Sequence, residues 1–588
     1  MEQNKKYNIF INDYDSLNNL SKIFAFDTET YGLKFDELIL KDISFFDGEN
    51  AFYFDKEHLN KDKLKKLFLD SKLIIGQNLC FDFTVLTKYF DREFLFELTG
   101  KELFDTMIAQ YCLDENARKG LKTMSKQILN EEMIKYSEAL NTDEWKQYSI
   151  DDAIQTYKLY MYFKNKVINN KIFIRELNCI LPIVDMQYNG FLIDKNKIEI
   201  IKNKLEEKLK IINEEFIPIF HKYNMVNNNL FGAKKIIIDI NSSSQLKNFI
   251  NNKLNIKIID TTVETLEEIK KKDSTGFIEL LLKYRHISKL YTSYILPFMN
   301  EHIQKDGYIH PSYNSTGTVT GRFSSENPNM QQIPAFDEFE FRDMFVAKEN
   351  YSIIAADYAS QELRLLAIIT KDKNIIDAFK NNKDLHLTTA NTVFNLNIPN
   401  ECLVVTNERY NEYKNKFGKE RKIGKVINFA SSYGAGKQGI ARLTEKPVEE
   451  AEKMLTKFFS YYFGIKKEMH NTELLLYKNS EVENIFGRKR RFKEIDNSAK
   501  RQAFNFLIQS SAADMMKIDL CKIWNNIILK YKDKIYLKAT IHDEILFEVD
   551  NNYIEEIKNS IRKEMEDFNF EIPMNVDINC GKSYKEAH

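Results

Sequence analysis

The sequence predicts a multidomain chain in which an α/β domain precedes an α+β region. Three observations carry that prediction. At 588 residues the chain is too long for one ordinary core. In the first 175 residues, short apolar runs at 23–26 and 73–76 read as strands, and a helical pattern opens near Tyr148. Beyond 336, a strand-like run at 351–356 and a two-strand pattern around His542-Asp543-Glu544 enclose long stretches of helical periodicity.

Composition narrows the classes. A hydrophobic content of 43% fits a folded globular chain. Lys plus Arg number 85 against 86 Asp plus Glu, so any surface that binds a polyanion must be local. The six cysteines are scattered without a CxxC pair, which predicts reduced thiols and neither zinc nor disulfides. No apolar run reaches about eighteen residues, so no membrane span is expected. The opening Met-Glu-Gln-Asn-Lys-Lys-Tyr has no apolar signal core.

The first candidate site residues stand at the end of the first strand-like run. In a strand, residues i and i+2 share a face, so Asp27 and Glu29 project side by side. Adjacent carboxylates repel unless a cation lies between them. Asp82 closes Asn78-Leu79-Cys80-Phe81-Asp82, and Asp152 lies four residues after Tyr148. Alone, Asp-x-Glu is common and usually marks a solvated face. Together, the order and spacing resemble the three motifs of the DEDDy proofreading exonucleases. That resemblance implies an RNase H-like 3′–5′ exonuclease domain over 1–175. Asp27, Glu29, Asp82 and Asp152 would be metal ligands, and Tyr148 would position the attacking water. Four carboxylates suit two hard cations. Leu33 and Phe81 are candidates to contact an unpaired 3′ terminus, with core packing the alternative. Asp105 is expected to be structural, and Asp152 rather than Asp151 to be the ligand.

Over 176–335, residues 200–216 and 277–295 show helical spacing between charges. Lys283, Arg285 and Lys289 on the second pattern suit either phosphate contact or a solvated face. Then follow Thr320-Gly321-Arg322-Phe323-Ser324-Ser325 and Pro328-Asn329-Met330-Gln331-Gln332-Ile333-Pro334, polar text that predicts a surface loop. It resembles the T-G-R-x-S-S-x2-P-N-x-Q-x-I-P strip of family A DNA polymerases. The resemblance implies a thumb followed by a template-side strip. Arg322 would reach the primer terminus from the minor groove, where all four base pairs place acceptors at nearly equivalent positions.

From 336 onward the same family is visible three times. Asp357-Tyr358-Ala359-Ser360-Gln361-Glu362-Leu363-Arg364 resembles motif A and departs from it at Ala359, Ser360 and Gln361. It implies Asp357 as metal ligand, Glu362 as a steric gate against ribose, and Tyr358 in the nucleotide site. Arg421, Lys425, Phe429 and Tyr433 recur every fourth residue, so on a helix they share one slowly winding face. An ordinary amphipathic helix would show the same spacing. Cations near a helix N-terminus oppose its dipole, however, so an anion is expected beside them. The pattern resembles motif B, the fingers helix. It implies that Arg421 and Lys425 hold a triphosphate, with Lys425 the proton donor to pyrophosphate, and that Phe429 and Tyr433 meet sugar and base. His386 resembles the histidine near the β-phosphate. His542-Asp543-Glu544 resembles motif C, making Asp543 the second ligand, His542 an orienting group toward the primer strand and Glu544 a neighbour. Arg501, Asn505 and Gln509 repeat the four-residue step and imply primer–template contacts. The basic run 486–491 suits phosphate or a solvated turn. The charged stretch 397–420 is longer than the family usually has and receives no role.

The resemblance spans nearly the whole chain. It implies an exonuclease domain followed by a right-hand polymerase: palm at 336–370 and 496–588, fingers at 371–495. The implied activity is DNA-directed DNA polymerisation with 3′–5′ proofreading. Primer–template DNA and dNTPs would be partners, with a replicative helicase or primase beside them. Two Mg²⁺ are expected at each site, with Mn²⁺ as a substitute, and the protein is expected to be a monomer. A single-subunit RNA polymerase uses a similar helix and two aspartates, but Glu362 and the exonuclease motifs speak against it. Abundant Asn, Lys, Ile, Phe and Tyr with only 19 Gly and 9 Pro suggest AT-rich coding. With no 5′-nuclease segment, this resembles the apicoplast members of the family. A plastid-like organelle is the expected location, and bacterial cytoplasm the alternative.

Overall fold

The structure is a computed structural model that describes residues 7–228, 234–334 and 338–588. The expected boundary at 335/336 lies outside the described residues.

The N-terminal domain is a six-stranded mixed sheet: β1 (Asn8–Ile11), β2 (Ile23–Thr30), β3 (Leu40–Phe46), β4 (Asn50–Asp55), β5 (Leu73–Gly76) and β6 (Glu102–Asp105). Its order is β1-β4-β3-β2-β5-β6. The central strand β2 runs parallel to β5 and antiparallel to β3. Alternation along β2 sorts its side chains. Phe24 and Phe26 pack edge-on against Phe68 of the helix Lys61–Asp70. Asp27 and Glu29 therefore face the other side, where the helix Trp145–Val167 crosses the sheet. Asp105 proves structural as expected. Its carboxylate caps the helix Thr106–Leu113 and accepts the Leu79 N–H at 2.7 Å.

The two helical patterns of the middle region form the helices Lys195–Lys222 and Phe277–Leu290, which pack together through Phe216, Phe220 and Phe277. Lys283 and Lys289 are exposed, whereas Arg285 bonds Thr261 and is partly structural.

The palm is an antiparallel sheet of four strands in the order Ile535–Ile541, Glu544–Asp550, Tyr351–Tyr358, Val576–Gly581. The helix Asn497–Ile523 lies beside it. One apolar core runs from the N-terminal sheet through the middle helices into the palm, while the fingers are built around a separate core that includes Ile427, Phe458 and Ile465.

Buried ion pairs tie the two halves together. Arg92 of the N-terminal domain holds Asp185 at 2.7 and 3.0 Å and donates to the carbonyls of Lys532 and Ile535 at the C-terminal sheet. Arg488 holds Glu176 at 2.5 Å and Asp514 at 2.7 Å, and Lys517 holds Glu176 at 2.6 Å. This removes Arg488 from the two readings of 486–491, phosphate contact or a solvated turn, while Arg490 donates to the neutral Gln502. Arg488 is buried, Arg491 pairs with Glu115, and Lys489 pairs with Glu481. Arg488 lies at depth, where leaving it unpaired would be costly, whereas the pairs of Arg491 and Lys489 lie nearer the surface.

Candidate active site

Two carboxylate centres form. In the first, Asp27 and Glu29 of β2 meet Asp152 of the crossing helix, with one oxygen of each within 4.8 Å of the others. Asp82 stands beside them, but its Oδ1 accepts both the Thr28 N–H (3.0 Å) and the Thr28 hydroxyl (2.6 Å). Burial, then the neighbouring carboxylates, push Asp27 far up and Glu29 to about 8. Burial raises Asp82 and Asp152 each to about 7. The Asp152 Oδ1 atom is buried without a hydrogen-bond partner. Crowded carboxylates with a spare buried oxygen fit a hard divalent cation.

Tyr148 lies on the same helix, stacked on Trp145 at 5.4 Å. Its hydroxyl accepts from Lys122 Nζ at 3.2 Å. Asp42 of β3 anchors this turn by accepting from Trp145 Nε1 (2.8 Å) and Ser149 Oγ (2.9 Å). Leu33, 82% exposed, and Phe81 line one cavity of about 270 Å³. The exposure of Leu33 removes core packing as its explanation.

The second centre is in the palm. Asp357 ends the strand Tyr351–Tyr358 opposite Glu544, and Asp543 sits in the adjoining hairpin turn. The Tyr358 N–H donates to the Asp543 carbonyl at 3.3 Å. Burial, then Asp543 and Glu544, raise Asp357 to about 7, and its Oδ1 is buried without a partner. Burial likewise raises Asp543. Glu544 is turned aside, accepting from the Tyr584 hydroxyl at 2.6 Å and lying 3.2 Å from His588 Nδ1. Asp357 and Asp543 are thus the carboxylates left for a metal. Gln331 of the loop strip pins the turn: it donates to the Thr540 carbonyl (2.6 Å) and accepts the His542 N–H (3.0 Å).

The fingers helix Gly418–Ser432 carries Arg421, Lys425 and Phe429 on one face, and Tyr433 closes it. Lys425 is exposed. Arg421 Nε donates to Asp384 Oδ2 at 2.6 Å. Tyr433 and Arg322 both donate to the Glu362 carboxylate. The ring of His386 lies 5.9 Å from that of Phe429. Along the helix Asn497–Ile523, Arg501 is exposed and Asn505 and Gln509 are half-buried, while Ala503, Phe504, Phe506, Leu507 and Ile508 are buried, so the three share an accessible strip. Arg501 lies over Gly434, whose φ of +69° follows the fingers helix.

Residues 206–586 match the family model described as DNA polymerase family A. The chain belongs to DNA polymerase family A. Residues 2–168 match the 3′–5′ exonuclease family. The chain is 30% identical to DNA polymerase I of Borreliella burgdorferi, over 97% of this chain and 63% of that protein. It is 27% identical to DNA polymerase I of Pseudomonas aeruginosa, over 97% of this chain and 64% of that one. It thus spans under two thirds of these relatives' own length. The fold is that of the polymerase domain of Pol1 from M. smegmatis, a structure described as a complex with DNA primer-template and dNTP (TM-score 0.82, 21% identity, 99% of this chain and 100% of that one).

One expectation drawn from the family needs correction. Tyr358 does not line the nucleotide site. Alternation that turns Asp357 to the cleft turns Tyr358 into the palm, where its hydroxyl meets Asp519 (2.7 Å) and the Met565 carbonyl (2.5 Å). His386 is not a cation at neutral pH. Burial, against the pull of Asp384, lowers it to about 4, with Arg421 and Lys425 adding to the shift. Asn428 donates to its Nδ1 at 3.0 Å, so Nε2 keeps the proton and acts as a donor.

Sequence reasoning missed Lys122 and Asp384, which hold Tyr148 and Arg421, and Asp42, which anchors the helical turn around Tyr148. Asp384 carried a signal, the N-cap pattern before Leu385-His386. Lys122 and Asp42 carried none.

Proposed function

We propose that this family A chain extends a primer by template-directed addition of dNTPs and shortens 3′ ends at a separate site. The observation that carries the reading is the pair of carboxylate centres. Each lies in its own domain, and the palm centre connects to a cation-to-aromatic helix through Glu362 and Tyr433.

At the palm, Asp357 and Asp543 would hold the divalent cations. When bound, Mg²⁺ supplies a lowered pKa for the primer 3′-hydroxyl and positive charge for the leaving pyrophosphate. The chain's own groups do the rest. Arg421, held at Nε, offers its outer nitrogens to the triphosphate. His386 donates from Nε2 without adding charge. Lys425 gives a proton to the pyrophosphate oxygen as the P–O bond breaks. Phe429 lies along the sugar, and Tyr433 stands by the templating base. Glu362, fixed by two donors, fills the space a ribose 2′-hydroxyl would need. Arg322 tests the minor-groove edge, while Arg501, Asn505, Gln509 and His542 hold primer–template.

At the exonuclease site, Asp27, Glu29, Asp82 and Asp152 would hold the cations and Tyr148 would orient the attacking water. Lys122 holds the Tyr148 hydroxyl in place. Leu33 and Phe81 would grip the frayed 3′ nucleotide.

The AT-rich composition supports service to an AT-rich genome, and we extend the reading to replication in a plastid-like organelle. Imaging a tagged chain in the source cell tests that extension.

Primer extension on a 5′-labelled primer–template with Mg²⁺ tests the activity. Asp543→Asn should abolish extension alone, and Asp27→Asn should abolish 3′ shortening alone. One folded variant losing both activities would overturn the two-site reading.

A further inference from the structure

The stretch 397–420 is the part of the fingers to which the proposed reaction gives no work. It is a packed element. A 3₁₀ turn, Asn400–Leu403, and the helix Tyr410–Lys416 bury Ile398, Cys402, Leu403 and Tyr410 against Leu387 of the helix Leu385–Phe394. Hydrogen bonds stitch it down. The Asn391 side chain bonds both the N–H (3.0 Å) and the C=O (3.2 Å) of Ile398. The Val405 N–H donates to the Asn382 carbonyl at 3.0 Å, and the Asp384 N–H to the Leu403 carbonyl at 2.9 Å. The segment therefore wraps the start of the helix that carries His386.

Its polar reach toward the site is Tyr410. The phenol donates to Asp384 Oδ2 at 2.7 Å, the same oxygen that accepts Arg421 Nε at 2.6 Å. The other oxygen, Oδ1, caps the helix by accepting the His386 and Leu387 N–H groups, each at 3.0 Å. One carboxylate thus joins the inserted segment, the His386 backbone and the Arg421 guanidinium. Burial opposes its charge, but bonds from Arg421, Leu387 and Tyr410 hold its carboxyl below the ordinary range. Asp384 holds the Arg421 guanidinium through Nε, and the Tyr410 phenol also lies within bonding reach of that guanidinium, so carboxylate and phenol set its direction together.

We propose that Tyr410 is a positioning residue: the inserted segment locks Asp384 through the Tyr410 hydroxyl, and Asp384 in turn aims Arg421 at the triphosphate. This rests on the reading of Arg421 as a triphosphate ligand. Without the phenol, the Asp384 side chain gains freedom about its own torsions and the guanidinium moves with it. Nucleotide binding would then suffer before the chemical step does.

Tyr410→Phe removes one O–H and keeps the ring in its apolar cluster. The expected result is a rise in KM for dNTP of about 3- to 10-fold, the size of one ordinary lost hydrogen bond. The value of kcat should change far less, and 3′ shortening of a single-stranded primer should not change. The same substitution should add nothing further in an Arg421→Ala background. An unchanged KM, or effects that multiply in the double variant, would overturn the proposal. A thermal-melt cycle on Tyr410→Phe and Asp384→Asn needs no turnover. Coupled losses support the brace and additive losses overturn it. A wild type that incorporates no dNTP would count against the proposed activity alone, because the melt cycle would still decide the brace.

Discussion

Tyr433, the residue that closes the fingers helix, donates its hydroxyl to Glu362 of the palm. Arg322 of the template-side strip donates to the same carboxylate. Fingers, palm and strip therefore share one acceptor, and Glu362 stands over the proposed nucleotide site with its side chain only 13% exposed. A side chain held from two directions makes a firmer barrier than one held by packing alone.

This arrangement predicts the sugar preference. Glu362→Ala should raise the ratio of rNTP to dNTP kcat/KM by roughly 100-fold. Tyr433→Phe should raise it less, because Arg322 still holds the carboxylate. Single-nucleotide incorporation with matched rNTP and dNTP measures the ratio. No change in Glu362→Ala would remove that residue as the gate.

The two carboxylate centres lie in different domains, so they should fail separately. Asp357→Asn should cut extension by roughly 100-fold or more and leave 3′ shortening untouched, and Asp152→Asn should do the reverse. Labelled-primer assays read both on one gel. Loss of both activities in either variant, with a normal melting profile, would join the sites and contradict their separation.

The raised carboxyls of the exonuclease site make stability depend on pH and metal. Folded Glu29 stands at about 8, and Asp82 and Asp152 at about 7. An unfolded carboxyl titrates near 4. Between those values the folded chain binds more protons than the unfolded one, so stability is fullest at low pH and falls as pH rises. In EDTA, the melting midpoint should drop between pH 6 and pH 8, by roughly 2–4 °C for each 1 kcal/mol of stability lost. Mg²⁺ should remove most of that drop, and Asp152→Asn should flatten it. A midpoint indifferent to both pH and Mg²⁺ would mean that this trio binds no cation.

Gly424 tests the contact between the fingers helices. A Cβ there would sit 2.3 Å from the His386 carbonyl oxygen and 3.1 Å from the Ala390 nitrogen. Both are helix backbone, which cannot step aside without moving the helix. Gly424→Ala should destabilise the fingers by about 1–3 kcal/mol. It should also raise KM for dNTP, because the helices that carry Arg421 and His386 are forced apart. Exonuclease activity should stay normal. An unchanged KM would show that the site tolerates this separation.

Much of the site was legible because its residues are related by short periods. Asp27 and Glu29 follow strand alternation. Arg421, Lys425 and Phe429 follow the helical step, and Asp543 occupies a hairpin turn between apolar runs. Tyr358 shows the same logic neglected: next to Asp357 in a strand, it had to face the opposite way, and it does. The stretch 397–420 could not be interpreted, because its meaning lies in the contact between Tyr410 and Asp384, 26 residues apart in the chain.

By itself the sequence determined the domain order, the strands and helices that carry the carboxylates and cations, and which of those side chains share a face. Local periodicity dictates direction, and direction needs no partner. Only the tertiary structure decided which charges are already paired. Arg488 is neutralised by Glu176, 312 residues away, and Glu544 is drawn toward Tyr584, 40 residues on. Burial also leaves His386 neutral. Pairing and burial depend on segments that meet only after folding, and they decide which groups remain available for substrate.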